Sequence, residues 1–302
     1  MNNVTSIRID EDRACRFRRI SDNGFRLAFE VTRQCDMSCK HCFVKPCGDK
    51  PTTDEIMDII RQMAQYHCRK LIITGGEPLL RDDLEQIISA AKLEGLLTDL
   101  NSNFYSLTRE RVKRLKEAGL QEASVSLYGM RHFHDELTGQ TGSFDRTLAG
   151  IILFREAGIT VDVHGAVWDK MLPCIEMFID TVQKCDVSSV TFFRIIPAKT
   201  WRNIDEYTIT PDLAIETISQ ARRYGSLPIR TIGLRPIQKD ECSLGKSIYG
   251  IGADMHLMPC LLSRHKNYKQ GIDLRKHRFQ YALALLETQI HHNEWHAVCN
   301  VT

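Results

Sequence analysis

The sequence contains no apolar stretch long enough to cross a membrane. Spanning a bilayer takes about 20 consecutive apolar residues, and no run in this chain approaches that length. The first residues, MNNVTSIRIDEDRACRFRR, mix acidic and basic side chains and lack the apolar segment of a secretory signal. We therefore expect a cytoplasmic protein that does not associate with a membrane.

The chain also lacks an excess of charge of one sign. Forty Lys and Arg residues oppose 38 Asp and Glu residues, which leaves a net charge of +2. A nucleic-acid partner is therefore not expected, because such partners are usually met by a strongly basic surface. With 43% hydrophobic and 26% charged residues, the 302-residue chain has the composition of a globular protein with one large domain.

Cysteine, in contrast, is abundant, with 11 residues. Because the chain is too large to need disulfides and shows no secretion signal, clustered cysteines indicate metal or redox chemistry. Three of them, Cys35, Cys39 and Cys42, lie together. The other eight are scattered along the chain: Cys15, Cys47, Cys68, Cys174, Cys185, Cys242, Cys260 and Cys299. The chemistry is therefore expected at residues 35–42.

Strand-like and helix-like stretches alternate over residues 25–227. The predicted strands are 25–32, 70–74, 96–103, 122–129, 159–168 and 188–197, and the predicted helices are 53–67, 82–91, 108–118, 143–157, 171–185 and 211–224. Six βα units with short connections predict an α/β fold with a parallel sheet. Periodicity alone does not decide between a barrel and an open sheet.

Local signals place the helix ends and the domain boundaries. Thr53 and Ser143 are predicted N-caps, Pro173 is expected in a first helical turn, and Gly119 is the expected C-terminal glycine of a helix. Residues 1–24 form an N-terminal extension. The alternation breaks near residue 228, so residues 228–302 are predicted to form an appended subdomain with a last helix at about 277–290.

The segment CDMSCKHC places three cysteines just after the first predicted strand. That edge of a parallel sheet is where active sites are commonly built. Thiolates are preferred ligands of iron–sulfur clusters, and a four-iron cluster needs one ligand for each iron, so three cysteines leave one iron open. A zinc site and three buried thiols are the alternatives. Zinc is favoured less because it usually takes four protein ligands. The nearest further candidates are His41 and Cys47.

The spacing Cys35-x3-Cys39-x2-Cys42, with His41 before the third cysteine, resembles the motif of the radical S-adenosylmethionine (SAM) superfamily. The resemblance implies a partial (β/α)6 TIM barrel and a 4Fe–4S cluster with three cysteine ligands. It also implies that SAM chelates the open iron and is split into methionine and a 5′-deoxyadenosyl radical, which takes a hydrogen atom from the substrate. An electron donor such as flavodoxin or ferredoxin is then expected.

The segment ITGGEPLL (73–80) resembles the glycine-rich GGE segment of the same family. Gly75 and Gly76 allow backbone to approach a ligand, and Glu77 is expected to accept a hydrogen bond from a ligand ammonium. Further SAM contacts implied by the resemblance are His41, Asn101 with Ser102 and Asn103, Ser124, Ser126, and Arg194 before a turn at 195–197. The polar strand residues are equally consistent with hydrogen-bonded groups inside a barrel. His164 alternates with Val161 and Val163, so it is expected either to point inward toward substrate or, as the favoured alternative, to be a hydrogen-bonded core histidine.

The stretch SVSLYGMRHFHDELTGQTGSFDRTLAGI (124–151) is similar to a segment of radical SAM proteins that mature peptides and peptide-derived cofactors. The similarity is carried by His134, Asp135, Gly139, Gly142, Ser143 and Phe144. Read from the residues alone, Ser143 is simply an N-cap with Asp145 in the first turn. The resemblance implies a peptide or small natural-product substrate.

Cys242 and Cys260, the latter preceded by Met258-Pro259, resemble the start of a SPASM or twitch subdomain, which carries auxiliary iron–sulfur clusters. The expected hairpin fits residues 249–260, but Asp254-Met255 replaces the usual Asp-Gly turn and a downstream Cys-x2-Cys is missing. Three alternatives stay open. Cys242, Cys260 and Cys299 bind one auxiliary cluster, Cys260 is a hydrogen-atom donor, or these cysteines are buried thiols of a degenerate subdomain.

The leading hypothesis is an enzyme that forms a carbon radical on a peptide or small natural product, with the cofactor supplying the difficult chemistry. An auxiliary cluster would favour a net oxidation, as in an oxidoreductase. A thiol donor would favour an epimerase of a sugar, aminoglycoside or peptide. A non-enzymatic iron–sulfur or zinc protein would account for the cysteines but not for the GGE segment or the six βα units.

Overall fold

The computed structural model describes residues 24–42, 44, 50–195, 208–233, 247–261 and 271–291. Cys47, Cys242, Cys299 and the predicted turn residues 196–197 lie outside these ranges. The strands in these ranges form one ten-stranded sheet in the order β10-β9-β8-β1-β2-β3-β4-β5-β6-β7. None of the helices that the structure describes is long and apolar enough to span a membrane.

Seven neighbouring strands of this sheet are parallel. They are β1 (Phe25–Thr32), β2 (Cys68–Gly75), β3 (Leu97–Ser102), β4 (Glu122–Ser126), β5 (Thr160–Val167), β6 (Ser189–Arg194) and β7 (Ile229–Ile232). Because β7 and β1 do not pair with each other in the described sheet, the wall stays open. This confirms the predicted parallel α/β fold and the partial barrel that the resemblance implied.

Helices connect these strands, as parallel crossovers require. They are α1 (Thr53–Ala64), α2 (Leu84–Leu93), α3 (Arg109–Ala118), α4 (Arg131–Thr138), α5 (Ser143–Glu156), α6 (Ile175–Lys184) and α7 (Pro211–Ala221). Helix α4 was not predicted, since eight residues show too little periodicity to identify it. Pro173 lies in a 3₁₀ segment (Asp169–Cys174) before α6 and not in the first turn of α6.

Two predicted helix caps are wrong, and one is confirmed. Thr52, not Thr53, caps α1: its hydroxyl accepts from the Glu55 amide at 3.2 Å, and the Glu55 carboxylate accepts from the Thr52 amide at 2.8 Å. At α5 the capping position belongs to Gly142, and Ser143 is already the first helical residue. Gly119 ends α3 with φ 108, a left-handed conformation that favours glycine.

Successive residues of each parallel strand point alternately toward the helices and into the barrel. The helix-facing set is apolar and fully buried, as with Leu27 and Phe29 on β1 and Val161 and Val163 on β5. The opposite face, called the lumen face from here on, is mostly polar on β2 to β6, with Ile72, Ala166 and Phe193 as its apolar members. It carries Lys70, Asp99, Asn101, Glu122, Ser124, Ser126, Asp162, His164, Ser189 and Thr191. The helix-facing core therefore stabilises the wall, and the lumen face is left for polar contacts.

Residues after 228 extend the same sheet at both edges. Strand β7 pairs with β6, and β8 (Ile248–Ile251) pairs in parallel with β1. The predicted hairpin is present: β9 (His256–Met258) runs antiparallel to β8, and Met255 at its turn has φ 63, where the usual motif has glycine. Strand β10 (Ile272–Asp273) and α8 (Phe279–His291) follow. The boundary at 228 stays a prediction, because no break in the sheet marks it.

Phe279 tests whether the C-terminal strands and the barrel share one core. Its ring is fully buried and stacks on Phe25 of β1, with centroids 6.2 Å apart. Phe279→Ala is expected to lower the free energy of unfolding by about 3–5 kcal/mol, with a single transition in urea followed by circular dichroism. Leu213→Ala removes a side chain that is 38% exposed and should cost about 1 kcal/mol or less. A separate early transition in Phe279→Ala would contradict the shared core.

Candidate functional site

The three-cysteine loop follows β1 at the carboxyl edge of the sheet, and its thiols lie within electrostatic range of one another. Burial raises the pKa of Cys35 to about 11, and it also raises the pKa of Cys39 and of Cys42. Neutral thiols are therefore favoured until positive charge arrives. Metal ions would supply that charge, since thiolates and not thiols are ligands.

The described residues around the three cysteines form no ready-made site for a single metal ion. Within the described ranges, no group of three or more His, Cys, Asp or Glu side chains converges as it must around one metal ion. A cluster makes a different demand, because each of its cysteines binds a separate iron. The ring of His41, a candidate for zinc, instead packs edge-on against Tyr128 with centroids 4.3 Å apart. Burial lowers the pKa of His41 to about 4, so the ring is neutral near pH 7.

Gly75 and Gly76 allow the ends of β1 and β2 to touch. The amide of Gly76 donates to the Thr32 carbonyl at 2.8 Å, and the amide of Glu77 donates to the Gln34 carbonyl at 2.7 Å. A Cβ at Gly76 would lie 2.1 Å from the Gln34 oxygen, and one at Gly75 would lie 2.2 Å from the Thr32 oxygen. The structure thus gives these glycines a reason other than the expected approach of a ligand: they clamp the start of the cysteine loop.

Glu77 lies inside the protein and links three strand ends. Its fully buried carboxylate accepts from the Leu79 amide at 2.9 Å, the Ser102 hydroxyl at 2.7 Å and the Asn103 amide at 2.8 Å. The Asn103 side chain in turn donates to Asp36 of the cysteine loop at 2.8 Å. Burial raises the pKa of Glu77 to about 7 despite these donors. Its predicted contact with a ligand ammonium stays a prediction.

Asp135 organises the start of α5, where Ser143 was the predicted cap. Its carboxylate accepts from the Gly142 amide at 2.7 Å, the Phe144 amide at 2.9 Å and the Ser143 hydroxyl at 2.9 Å. Burial alone would raise the pKa of Asp135, but these hydrogen bonds lower it below its usual value. The carboxylate from the preceding helix therefore satisfies amides that the sequence analysis had left to Ser143.

The end of α4 holds the cysteine loop through backbone hydrogen bonds. The Ser38 amide donates to the Thr138 carbonyl at 3.2 Å, and the Lys40 amide donates to the Leu137 carbonyl at 2.8 Å. Gly139 follows with φ 68, and a Cβ there would lie 3.0 Å from the Ser38 oxygen. The stretch 124–151 thus has a structural role, because it positions the loop that carries the thiols.

Tyr128 is a residue that the sequence analysis missed. It follows β4, its amide donates to Nδ1 of His134 at 3.1 Å, and its ring stacks on that imidazole. Its carbonyl accepts from the Trp168 indole at 3.1 Å. Burial, and then the nearby thiols, raise the pKa of Tyr128, while a hydrogen bond to Ser126 lowers it. The sequence does place an aromatic residue just after the strand that carries Ser126, and this position could have identified Tyr128 as a site residue.

Of the other predicted SAM contacts, some already have hydrogen-bond partners within the protein and others do not have one among the described residues. The Ser124 hydroxyl donates to Asp99 at 3.0 Å, so it already has a protein partner. Several buried polar atoms near the carboxyl edge have no hydrogen-bond partner among the described residues: Asp36 Oδ2, His41 Nδ1, Asn101 Oδ1 and Arg194 Nε. Buried polar atoms rarely stay unpaired. A polar ligand such as SAM would supply these partners, so the residues fit the group.

Cys260 lies at a different level of the sheet. Met258 of β9 pairs with Gly250 of β8, which pairs with Ala28 of β1. Cys260 directly precedes Leu261, whose backbone nitrogen lies beside Gly250, so Cys260 lies near the level of Ala28, whereas the cysteine loop follows Thr32. The strand from Ala28 to Thr32 spans about 13 Å at roughly 3.3 Å per residue. The other two proposed auxiliary ligands are outside the described ranges.

Gly76→Ala tests the clamp between β1 and β2. The new Cβ meets backbone that cannot move without displacing the cysteine loop. We therefore expect the free energy of unfolding to fall by about 3 kcal/mol or more. The amount of iron bound per chain after anaerobic reconstitution should also fall markedly. Gly95→Ala is the control: Gly95 has φ 76 but open space around a Cβ. Its free energy of unfolding should fall by about 1–2 kcal/mol, and it should still bind iron as the wild type does. Full iron loading of Gly76→Ala would contradict the clamp.

The raised pKa of Glu77 predicts that the free energy of unfolding of the metal-free protein depends on pH. This pKa is about 7 in the folded protein, against an ordinary value of 4.5. The stability that protonation provides is therefore complete below the unfolded pKa and is lost as pH rises through 7. The free energy of unfolding should therefore fall between about pH 5 and pH 8, by at most about 3 kcal/mol. Glu77→Gln should remove this slope. Equal slopes in the two proteins, measured by urea unfolding, would refute it.

A comparison with known proteins identifies the domain. The family model described as the Radical SAM superfamily matches residues 29–172. The Fe-coproporphyrin III synthase of Methanosarcina barkeri is 27% identical over 199 residues, which cover 65% of this chain and 49% of that protein. An AdoMet-dependent heme synthase of the same organism is 32% identical over 185 residues, which cover 60% of this chain and 53% of that protein. The chain thus spans about half the length of these curated relatives.

The fold comparison agrees. The structure of Streptococcus suis SuiB bound to S-adenosylmethionine superposes with a TM-score of 0.76 at 16% identity and covers 88% of this chain and 67% of that one. SuiB has also been solved bound to its precursor peptide SuiA. Proteins of the matched superfamily use a 4Fe–4S cluster with three cysteine ligands together with SAM. Residues 29–172 of this chain are a domain of the radical SAM superfamily.

Proposed function

We propose that this chain is a radical SAM enzyme in which Cys35, Cys39 and Cys42 hold a 4Fe–4S cluster. The observation that carries the proposal is the placement of three mutually interacting thiols on a loop clamped to the Gly75-Gly76-Glu77 segment. When bound, the cluster would supply an electron that splits SAM into methionine and a 5′-deoxyadenosyl radical. The protein's own task is to position SAM and substrate and to exclude competing reactions.

The proposed SAM site uses the residues of the carboxyl edge. His41, Asn101 and Arg194 bring polar atoms that have no partner in the described structure. Gly75, Gly76 and Ser126 border the loop and its neighbour Tyr128. Ser124 and Glu77 already bond to Asp99 and to backbone amides, so we assign them to positioning the pocket.

Two substrate classes are supported by different observations. The names of the curated relatives favour a tetrapyrrole, since both are synthases of heme-type products. The fold comparison favours a peptide, since SuiB binds its precursor peptide, and the stretch 124–151 supports the same class. We propose a peptide or small natural product, with a flavodoxin or ferredoxin as electron donor in the cytoplasm.

An auxiliary cluster is the second part of the proposal. Cys242, Cys260 and Cys299 are its proposed ligands, and a net oxidation of substrate is the proposed outcome. Direct hydrogen-atom donation requires near contact, roughly 3–3.5 Å. The level of Cys260, about 13 Å along β1 from the start of the cysteine loop, supports a cluster ligand more than a donor in an epimerase.

Cys39→Ala tests the first cluster. Two local thiolates cannot replace three ligands, so the variant should lose the cluster and all release of 5′-deoxyadenosine from SAM under dithionite. Cys185→Ala, which changes a thiol at the end of α6, is the matched control and should retain both. If reduced wild-type protein with four irons releases no 5′-deoxyadenosine, the enzyme proposal fails. A single tetrahedral zinc at the loop would refute the cluster itself.

Iron counting tests the second cluster. Wild-type protein should bind about eight irons per chain if both clusters form, and Cys260→Ala should bind about four. A wild-type count near four would exclude the auxiliary cluster. Loss of the first cluster in Cys260→Ala, seen in the electron paramagnetic resonance spectrum of the reduced protein, would contradict the separation of the two sites.

A further inference from the structure

His164 lies on the lumen face at the middle of β5. Its neighbours Val163 and Gly165 are buried on the helix-facing side, whereas the imidazole keeps 30% of its side-chain surface exposed. The described residues therefore leave part of the ring uncovered. A core histidine that serves packing alone would be enclosed, so the exposed ring leaves room for a ligand in the barrel.

Asp162, two residues earlier on the same face, orients this ring. Its Oδ2 lies 3.5 Å from Nε2 of His164. The carboxylate is itself fixed by the hydroxyls of Ser189 and Thr191, the latter at 2.9 Å. A carboxylate beside Nε2 favours the tautomer that carries its proton there. Nδ1, which makes no hydrogen bond within the described ranges, is then an acceptor.

The surroundings of His164 carry negative charge. Asp99 on β3 lies within electrostatic range of the imidazole and accepts from Ser124. Lys70 pairs with Glu122 at 2.5 Å. Asp99 and Asp162 thus place two carboxylates near the imidazole, whereas Glu122 lies level with Thr160, four residues before His164, and is matched by the Lys70 ammonium. An anionic group is disfavoured in such a space, and a hydrogen-bond donor, neutral or cationic, is favoured.

A short chain of contacts joins His164 to the cysteine loop. His164 pairs with Ser126 across β4 and β5. Ser126 hydrogen-bonds to Tyr128, and Tyr128 contacts the ring of His41 within the loop. Adjacent strands are about 4.8 Å apart. A ligand at His164 would therefore lie beside the proposed SAM site.

We propose that His164 is a substrate-binding residue whose Nδ1 accepts a hydrogen bond from an amine, hydroxyl or amide N–H of the substrate, with Asp162 as its positioning residue. This inference rests on the proposed function and selects between its two substrate classes. Peptides and amino-bearing natural products offer such donors. The peripheral carboxylates of a coproporphyrin offer acceptors and carry the charge that the lumen face disfavours.

The test is nitrogen-15 magnetic resonance of histidine-labelled, oxidised holoprotein, with the His164 signals assigned by their loss in His164→Gln. The ring should show the Nε2–H tautomer. Ethanolamine is the donor probe and propionate the anionic probe of similar size, each added up to about 0.1 M because single-contact fragments bind weakly. Ethanolamine should shift the Nδ1 resonance saturably, and propionate should bind at least about tenfold more weakly. His256, on β9 outside the lumen face, should not respond.

Asp162→Asn is the matched variant, because its amide oxygen can still accept from Nε2 while the charge is removed. This variant should bind ethanolamine roughly tenfold more weakly than the wild type, and its preference for ethanolamine over propionate should be smaller. An Nδ1–H tautomer, no response to ethanolamine, or equal responses to both probes would each overturn the inference. The measurement involves no SAM cleavage. A protein that cleaves SAM but fails this test loses only the assignment of His164, and one that passes but cannot cleave SAM loses only the proposed function.

Discussion

The contact between the ends of β1 and β2 fixes the geometry of the whole site. The amides of Gly76 and Glu77 reach the carbonyls of Thr32 and Gln34, and any side chain at Gly76 would occupy the same space as the Gln34 oxygen. Cys35 follows Gln34 directly, so the first thiol takes its position from this backbone contact. Holding this proposed cluster ligand through backbone hydrogen bonds, in place of flexible side chains, keeps its geometry defined before any metal is bound.

Two further supports hold the other parts of the cysteine loop. Glu77 reaches β3 and, through Asn103, the side chain of Asp36. The end of α4 receives the amides of Ser38 and Lys40. The loop is thus bound from β2, β3 and α4, which brings the motif at 73–80 and the motif at 124–151 into a single explanation. Both act on the loop that carries the thiols.

The barrel has two chemically different parts. Its carboxyl edge gathers thiols and several polar atoms that find no hydrogen-bond partner in the described part of the chain, as a polar cofactor requires. Its lumen face carries carboxylates held by hydroxyl groups, with His164 among them. The C-terminal strands β8, β9 and β10 continue the sheet beyond the edge of β1. The proposed cofactor site and the proposed substrate contact at His164 therefore use separate sets of side chains.

The sequence by itself determined the features that depend on local spacing. The strand Phe25–Thr32, the alternation of six βα units, the three-cysteine loop and the hairpin before Cys260 all follow from periodicity or motif. Tertiary structure decided the features that join distant residues: the capping of α5 by Asp135, the contacts of Tyr128, the burial of Glu77 and the level of Cys260. Local spacing carries no information about these, because each depends on which strand ends and helix ends meet in space.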